Sequence, residues 1–389
     1  MAKIRRVAVS LSTDRQYHRG VLQGISRYAR LHGPWELESE PTYAGGQMPT
    51  RLLRSMDGAM LLINDKRQIQ SLRRWKLPVV NLSSRFPDED LAHVSNDGTS
   101  IAALAIEHFI ERGFHNFAFC DLTDGSHFRR RRFVEQLAAR RLSGHLFEVN
   151  YAQRDDWILG RDRHRLETWL EKLPKPIGIL AHNDIRGRHL VDACRRMRIA
   201  IPDDVAVLGV DNELPHCEMS NPPLSSIATD AERIGYEAGS LLDQLMNGRD
   251  PIPKRLLIPA LGIVVRQSTD VTATADQHVA RAVRYIREHV GDEIDVGDIL
   301  RHVGISRTAL DKRFLKALGH TPHEEIRRIR LKRARELLAE SDLKLEIVAE
   351  RCGFRHGEYL GAVFRSEFGQ TPGEFRAQQK LMGHKNNGA

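Results

Sequence analysis

The last hundred residues of the chain repeat themselves, and no other feature restricts the fold as tightly. Leu310, Phe314, Gly319, Thr321 and Pro322 return fifty residues later as Leu360, Phe364, Gly369, Thr371 and Pro372. Upstream, Gly304-Ile305 answers to Gly353-Phe354 with a step of forty-nine, so the second copy has one extra residue before its Leu. Two apolar residues four apart, closed by Gly, describe one face of a short helix and its stop.

Each copy reads as a helix, a turn at Gly and a second helix. In the first, Asp295 caps a short helix carrying Val296, Ile299 and Leu300, Gly304 supplies the turn, and Ser306 caps a helix with Leu310 and Phe314 inside. In the second, Ile347, Val348 and Cys352 line the short helix, and Leu360, Val363, Phe364 and Phe368 line the longer one. Two helices across a short turn form a helix-turn-helix, whose second helix can enter a major groove. Between the copies, Thr321 is an N-cap, Pro322 takes the first helical position and Glu324 can close a capping box. The helix expected over Pro322–Glu340 spans roughly 28 Å at about 1.5 Å per residue. Successive major-groove faces lie about 34 Å apart, so a rigid spacer of this length suits two adjacent grooves. Arg327, Arg328, Arg330, Lys332, Arg333 and Arg335 make the spacer basic.

These residues, with the terminal GxTPxxxR, resemble an AraC-type DNA-binding domain. The resemblance covers roughly residues 279 to 376, and the domain is placed at 279–380. Arg307, Thr308, Asp311 and Lys312 are then the base-facing candidates of the first copy, and Arg355, His356, Glu358 and Tyr359 those of the second. Arg and Lys suit guanine edges, and Glu can accept from cytosine. Arg313, Lys316 and Arg365 are assigned to phosphates, which position without specifying. An ordinary solvated face stays open as the alternative for each single residue. Gly357 and Gly361 weaken the second reading helix.

At 389 residues, two or three compact units are expected. No apolar run approaches the roughly 20 residues of a membrane span, and the first residues lack the apolar core of a secretory signal. The four cysteines stand far apart without metal spacing, which suits a reduced, cytoplasmic setting with buried thiols. The net charge is +8, and from residue 276 on 21 Lys and Arg face 17 Asp and Glu. Positive density is therefore higher in the last third, which favours a polyanionic partner.

Residues 1 to 270 alternate apolar runs with helical patterns. Strands are expected at Val7–Ser10, Trp35–Ser39, Ala59–Ile63, Val79–Leu82, Phe117–Cys120, Phe147–Asn150, Ile177–His182 and Val205–Val210. Helices are expected at Tyr17–Leu31, Gln68–Trp75, Thr99–Glu111, Arg130–Arg140, Asp162–Lys172, Ile185–Arg198 and Ala231–Met246. Such alternation implies doubly wound parallel sheets, here too many units for one sheet and so two lobes. Hinges are expected near Leu91–Gly98, Ala181–Asp184 and Pro215–Asp230.

"GILAHNDIRGRHLVDACRRMRIAIPDDVAVLGVDN" and "PPLSSIATDAERIGYEAGSLL" resemble the sugar-binding core of LacI-type repressors and periplasmic sugar-binding proteins. LacI-type repressors carry N-terminal DNA-binding helices; here a strand begins by Val7, and DNA binding lies at the other end. A LacI-like effector domain (1–270), a linker (271–278) and an AraC-type domain together resemble the xylose-operon regulators, and "DRQYHRGVLQGISRYAR" and "GIVVRQSTD" support it. The resemblance implies a two-lobed periplasmic-binding-protein-like α/β fold followed by an all-α domain. It also implies effector contacts at Tyr17, Asn64, Asp97, Arg130, Asp184 and Asp211, with Arg186 and Asn212 weaker. Planar acceptor and donor groups with an aromatic face are what a sugar needs. Strand-end Asp and Asn can equally cap the next helix, an alternative held open for Asp184 and Asp211. Of the four arginines Arg129–Arg132, one is expected to point into the cleft.

The chain lacks HExxH, GxxxxGK[ST], GxGxxG and GxSxG, so no metal, cofactor or catalytic role is assigned. The reading is a cytoplasmic, homodimeric, sugar-controlled transcription regulator that binds operator DNA, and RNA polymerase if it activates. A pentose such as D-xylose is the expected effector. The alternatives are a sugar-binding protein or sugar-handling enzyme, and a DNA-binding regulator whose N-terminal domain only dimerises.

Overall fold

The computed structural model describes residues 4–39, 50–63, 66–84, 90–121, 128–148, 161–249, 251–270 and 276–378. The chain divides into two compact units, Met1–Val271 and Thr272–Ala389.

The first unit holds two six-stranded sheets, one per lobe. The first has strands β1 (Arg5–Ser10), β2 (Trp35–Glu38), β3 (Gly58–Leu61), β4 (Val79–Asn81), β5 (Ala92–Asn96) and β11 (Arg255–Ile258), in the order β11-β5-β4-β3-β1-β2 and all parallel. The second has β6 (Phe117–Cys120), β7 (His145–Phe147), β8 (Ile177–Ala181), β9 (Val205–Val210), β10 (Ser225–Ala228) and β12 (Gly262–Val264), in the order β12-β10-β9-β8-β6-β7, with only β12 antiparallel. Central strands such as β8 and β9 are buried along their whole length, as helices on both faces of a parallel sheet require. Helices α1 (Gln16–His32) and α9 (Ala231–Met246) cover one face of the first sheet. They cross where a Cβ on Gly24 would lie 1.9 Å from the Glu232 carbonyl oxygen, and one on Gly235 1.9 Å from that of Val21. Only glycine allows that approach.

The chain passes between lobes at Asn96–Gly98, at 228–231 and at 258–262. The first two passages lie in or beside expected hinges. Ala181–Asp184 is not one: it joins β8 to α7 (Asp184–Arg196) inside the second lobe. Phe147 ends β7, and residues 149 and 150 of the expected Phe147–Asn150 strand lie outside the described residues.

The second unit contains α10 (Gln277–Glu288), α11 (Val296–Val303), α12 (Arg307–Leu318), α13 (Pro322–Glu340), α14 (Leu345–Arg351) and α15 (Gly357–Phe368). Helix α10 takes in the last two residues of the expected linker, and its stripe Val279, Ala282, Val283 and Ile286 packs on the first copy. Asp295 caps α11 in a capping box, Ser306 caps α12, and Thr321 with Glu324 closes the box on α13. The second copy repeats that box at Thr371 and Glu374. Each copy has its own core, one around Leu310 and Phe314, the other around Leu360 and Phe364. Helix α13 enters both, with Ile326 in the first and Leu331, Ala334 and Leu338 in the second. Ile347, expected inside, is 37% exposed; Ala349 takes the inner position with Val348.

Candidate effector cleft and nucleic-acid interface

Parallel sheets bind ligands beyond the carboxyl ends of their strands. In the second lobe, β9 ends at Val210 and the chain turns through Asp211 at φ 97° and Asn212 at φ 50°. Left-handed backbone at two successive non-glycine residues costs of order 1–3 kcal/mol each and persists only where its surroundings enforce it. Here the Asp211 amide donates to the Ile227 carbonyl at 2.9 Å, and the Asn212 amide to Ser226 Oγ at 3.0 Å. Arg266 donates to Asn212 Oδ1 at 3.0 Å. Asp184 accepts from the Glu213 amide at 2.6 Å and from Ser226 Oγ at 2.5 Å.

The carboxylate of Asp211 accepts no hydrogen bond among the described residues. Its charge acts on Tyr17 and His18 of α1, in the other lobe. Burial raises the Tyr17 phenol above its ordinary value; nearby Asp211 raises it further, while Arg129 opposes the rise. Burial holds the His18 imidazole below its usual range, Arg15 adds to that, and Asp14 and Asp211 oppose it. Arg129, on α5 (Phe128–Ala139), donates to the His182 carbonyl, and His182 Nδ1 sits 3.1 Å from Asp121 Oδ1. An aromatic hydroxyl and an imidazole of one lobe thus lie within electrostatic reach of a carboxylate of the other, and the hydroxyl also of a guanidinium.

The other expected contacts take different places. Arg130 pairs with Glu148, and Arg129 is the arginine of the run whose charge acts on Tyr17. Asp97 caps α4 (Gly98–Glu111) through the Thr99 amide at 2.9 Å. Asn183, not Asp184, caps α7. Asp184 lies sealed beneath Gly209, and burial, with Asp211 nearby, pushes its carboxyl up to about 8. Arg186 is fully buried, bonded to the Asp121 carbonyl at 3.2 Å and to Asp162 at 3.0 Å, with its guanidinium 5.4 Å from the Phe147 ring centre. Asn212 serves the turn rather than the open face, and Asn64 lies outside the described residues.

Sequence reasoning missed Arg129, His18 and Glu213. Glu213, nearly buried, accepts from the Gln16 amide of the other lobe at 2.9 and 2.7 Å. Its only sequence signal is its place after Asp211-Asn212, at a strand's carboxyl end.

In the second unit, Arg307, Thr308, Lys312, Arg313 and Lys316 lie on the exposed face of α12, and Asp311 is half-buried 4.0 Å from Arg307. Arg313 is engaged: it bonds Asp276 Oδ2 at 2.5 Å, and Asp276 caps α10. In the second copy Glu358, Tyr359 and Arg365 are exposed on α15, but His356 is its N-cap and Arg355 precedes it, 3.9 Å from Glu293. Gly357 is buried because α14 approaches: a Cβ there would meet Glu346 at 3.2 Å. On the spacer, Arg330 is taken up by the carbonyls of Asp292 and Ile294 at 2.8 and 3.2 Å, and Arg335 lies over the rings of Phe368 and Phe375. Its basic surface is smaller than its composition suggests.

Two family descriptions match the chain: a periplasmic binding protein-like domain over residues 106–269 and a helix-turn-helix domain over 299–378. The chain is 30% identical to the xylose operon regulatory protein of Haemophilus influenzae, over 95% of this chain and 98% of that one. It is 29% identical to the xylose operon regulatory protein of Escherichia coli strain K12, over 96% and 97%. A solved structure of a xylose-binding transcription activator superposes with a TM-score of 0.77 at 28% identity, covering 97% of this chain and 98% of that one.

Proposed function

The chain belongs to the family of xylose operon regulatory proteins, and from that premise we propose that D-xylose is its effector and closes the two lobes. It is a sugar-responsive, DNA-binding transcription regulator. What supports the finer reading is that Asp211 and Arg129 of one lobe lie within electrostatic reach of Tyr17 of the other, and Asp211 also of His18. A carboxylate that accepts no hydrogen bond among the described residues can accept two sugar hydroxyls, and such charge-assisted bonds are among the stronger ones. The phenol and imidazole add an aromatic wall with polar edges.

The regulator works in the cytoplasm as a homodimer, contacts operator DNA through α12 and α15, and contacts RNA polymerase where it activates. No helix among the described residues is long and apolar enough to cross a membrane. Its relatives regulate transcription, and the cleft groups are read here as binding groups, not as an enzyme's.

The test is a melting-temperature screen against D-xylose, L-arabinose, D-ribose and D-glucose, with and without DNA obtained by binding-site selection. A rise specific to D-xylose is expected, because a ligand that binds only the native state stabilises it by mass action. A protein that binds DNA but responds to no sugar would favour a first unit that only dimerises.

A further inference from the structure

One hydrogen-bonded chain leaves the cleft turn and ends where the first unit ends. Asn212 Oδ1 accepts from the Arg266 guanidinium at 3.0 Å. The backbone of Arg266 is gripped by Ser225 Oγ, which accepts from its amide at 2.8 Å and donates to its carbonyl at 2.9 Å. Ser225 Oγ also accepts from Thr269 Oγ1 at 2.8 Å. Thr269 is held from the far side by α4: His108 Nε2 lies 2.9 Å from its Oγ1, and Arg112 donates to its carbonyl at 3.0 Å. Ser225, Ser268 and Thr269 are fully buried. Thr269 and Asp270 are the last described residues before the chain passes to the second unit. Helix α4, in turn, begins at the Asn96–Gly98 passage between lobes.

We propose that this chain, from Asn212 through Arg266 and Ser225 to Thr269, transmits effector binding from the cleft to the linker, with Arg266 as its positioning residue. The proposal rests on the sugar reading of the cleft given above. Coupling needs an element with two arrangements that a ligand can bias. The turn at Asp211-Asn212 is the element we assign, because its two positive-φ residues are held by bonds to Ile227, Ser226 and Arg266 rather than by a regular strand or helix. A sugar seated on Asp211 pulls on the residue beside Asn212. Asn212 and Arg266 are only half-buried, but the chain runs from them into fully buried Ser225 and Thr269, whose bonds cannot be exchanged for water, so a shift that reaches Arg266 is passed on rather than absorbed. Arg266 carries it because one side chain touches the turn while its own backbone leads, three residues later, to Thr269.

Two variants of the full-length protein test this, Arg266→Gln and Thr269→Val. For each, operator affinity is measured with and without D-xylose, and xylose affinity with and without operator. Linkage requires the two ratios to agree. The wild type is expected to show a ratio in the range of about 5–150. Thr269→Val, remote from the turn, should keep xylose affinity and xylose-free operator affinity within about threefold of wild type, and in both variants the ratio should fall below two, a change that a merely structural defect would not produce. A folded variant with the wild-type ratio overturns the proposal, and so does a variant that loses xylose binding, since Arg266 would then belong to the site itself. If Arg266→Gln fails to fold, Thr269→Val decides alone. A wild type without any xylose response refutes instead the sugar reading on which the proposal rests.

Discussion

The amide of Gln16, at the start of α1 in one lobe, donates to both carboxylate oxygens of Glu213 in the other, at 2.9 and 2.7 Å. Helix α1 has no side-chain cap of its own: Arg15 stands at the N-cap and makes no such bond. Glu213 caps it in trans, where a negative charge also suits the helix dipole. The exchange is mutual, since Gln16 Oε1 accepts from the Leu214 amide at 3.3 Å, and Arg19 adds an ion pair with Glu213 at 3.6 Å. A helix cap is normally local; this one forms only when the lobes are near. Loss of a cap costs about 0.5–2 kcal/mol. Glu213→Ala should therefore favour the open lobes and weaken D-xylose binding about tenfold, with Glu213→Gln in between. Small-angle scattering without sugar should report a larger radius of gyration for Glu213→Ala; equal radii and equal affinities would refute the clasp.

Asp184 sets a pH dependence. Its carboxyl is pushed up to about 8 by burial and by Asp211, against 3.8 for the free group. The folded state holds the proton that the unfolded state has released between those values. Its contribution to stability is full below about 3.8 and is lost as pH rises through about 8. Asp184→Asn removes this loss and keeps an acceptor for the Glu213 amide, while its own amide group would donate to Ser226 Oγ in place of accepting from it. Melting curves from pH 6 to pH 9 should show the wild type declining toward the alkaline end more steeply than the variant. Parallel curves would mean that Asp184 is ionised in the folded protein.

Asp211→Ala should abolish the xylose-induced melting shift while leaving xylose-free operator binding intact. The lost hydroxyl partners cost roughly 1–3 kcal/mol for each buried group. Alanine is also poorly suited to φ 97°, so Asp211→Asn, which tolerates that backbone better, is the control for folding. Wild-type sugar affinity in a folded Asp211→Asn protein would remove Asp211 from the site.

In the reading helix of the first copy, Arg307 and Arg313 part company. Arg307 is 71% exposed, and its nearest carboxylate is 4.0 Å away. Arg313 is committed to the cap of α10. Arg307→Ala should relax preference at one base pair by about 1–3 kcal/mol without changing the melting temperature. Arg313→Ala should weaken binding to all sequences alike and lower the melting temperature slightly. Binding-site selection separates the two; unchanged base preference for Arg307→Ala rules out its reading role.

What the sequence made legible follows from how local each signal is. Caps lie within three or four residues of what they cap, so Asp295, Ser306, Thr321 and the αL turn at Gly304 were readable in advance. The stripe of α10 is equally local, but it lies upstream of the repeat. Buried strands such as Val205–Val210 announce themselves by apolar runs. Ala92–Asn96, Ser225–Ala228, Arg255–Ile258 and Gly262–Val264 do not: two carry buried polar residues, and two are sheet edges. The cleft divides in the same way. The place of Asp211 at a strand end is a local signal, whereas the pairing of Arg130 with Glu148 and of Arg129 with the His182 carbonyl depends on residues far along the chain. Glu213 and Gln16 are 197 residues apart, and no local pattern relates them.

The two copies of the repeat, alike in sequence, should differ in stability. Phe314 and Phe364 are both fully buried, and truncating either to Ala should cost about 3–5 kcal/mol. Phe314 sits among aliphatic side chains, Val279, Val283 and Ile286 from α10 and Ile299 from α11. Phe364 meets two rings, Phe368 at 4.6 Å and Phe375 at 5.7 Å between centres, both edge-on. Such pairs add about 0.5–1.5 kcal/mol beyond their buried area. Phe364→Ala should therefore lower hydrogen-exchange protection of α14 and α15 more than Phe314→Ala lowers that of α11 and α12. Leu315, 52% exposed beside Phe314, serves as the control, because surface truncations usually stay within about 0.5 kcal/mol. If the two Phe variants lose equal protection, the aromatic pairs contribute nothing beyond area, and each copy is held by burial alone.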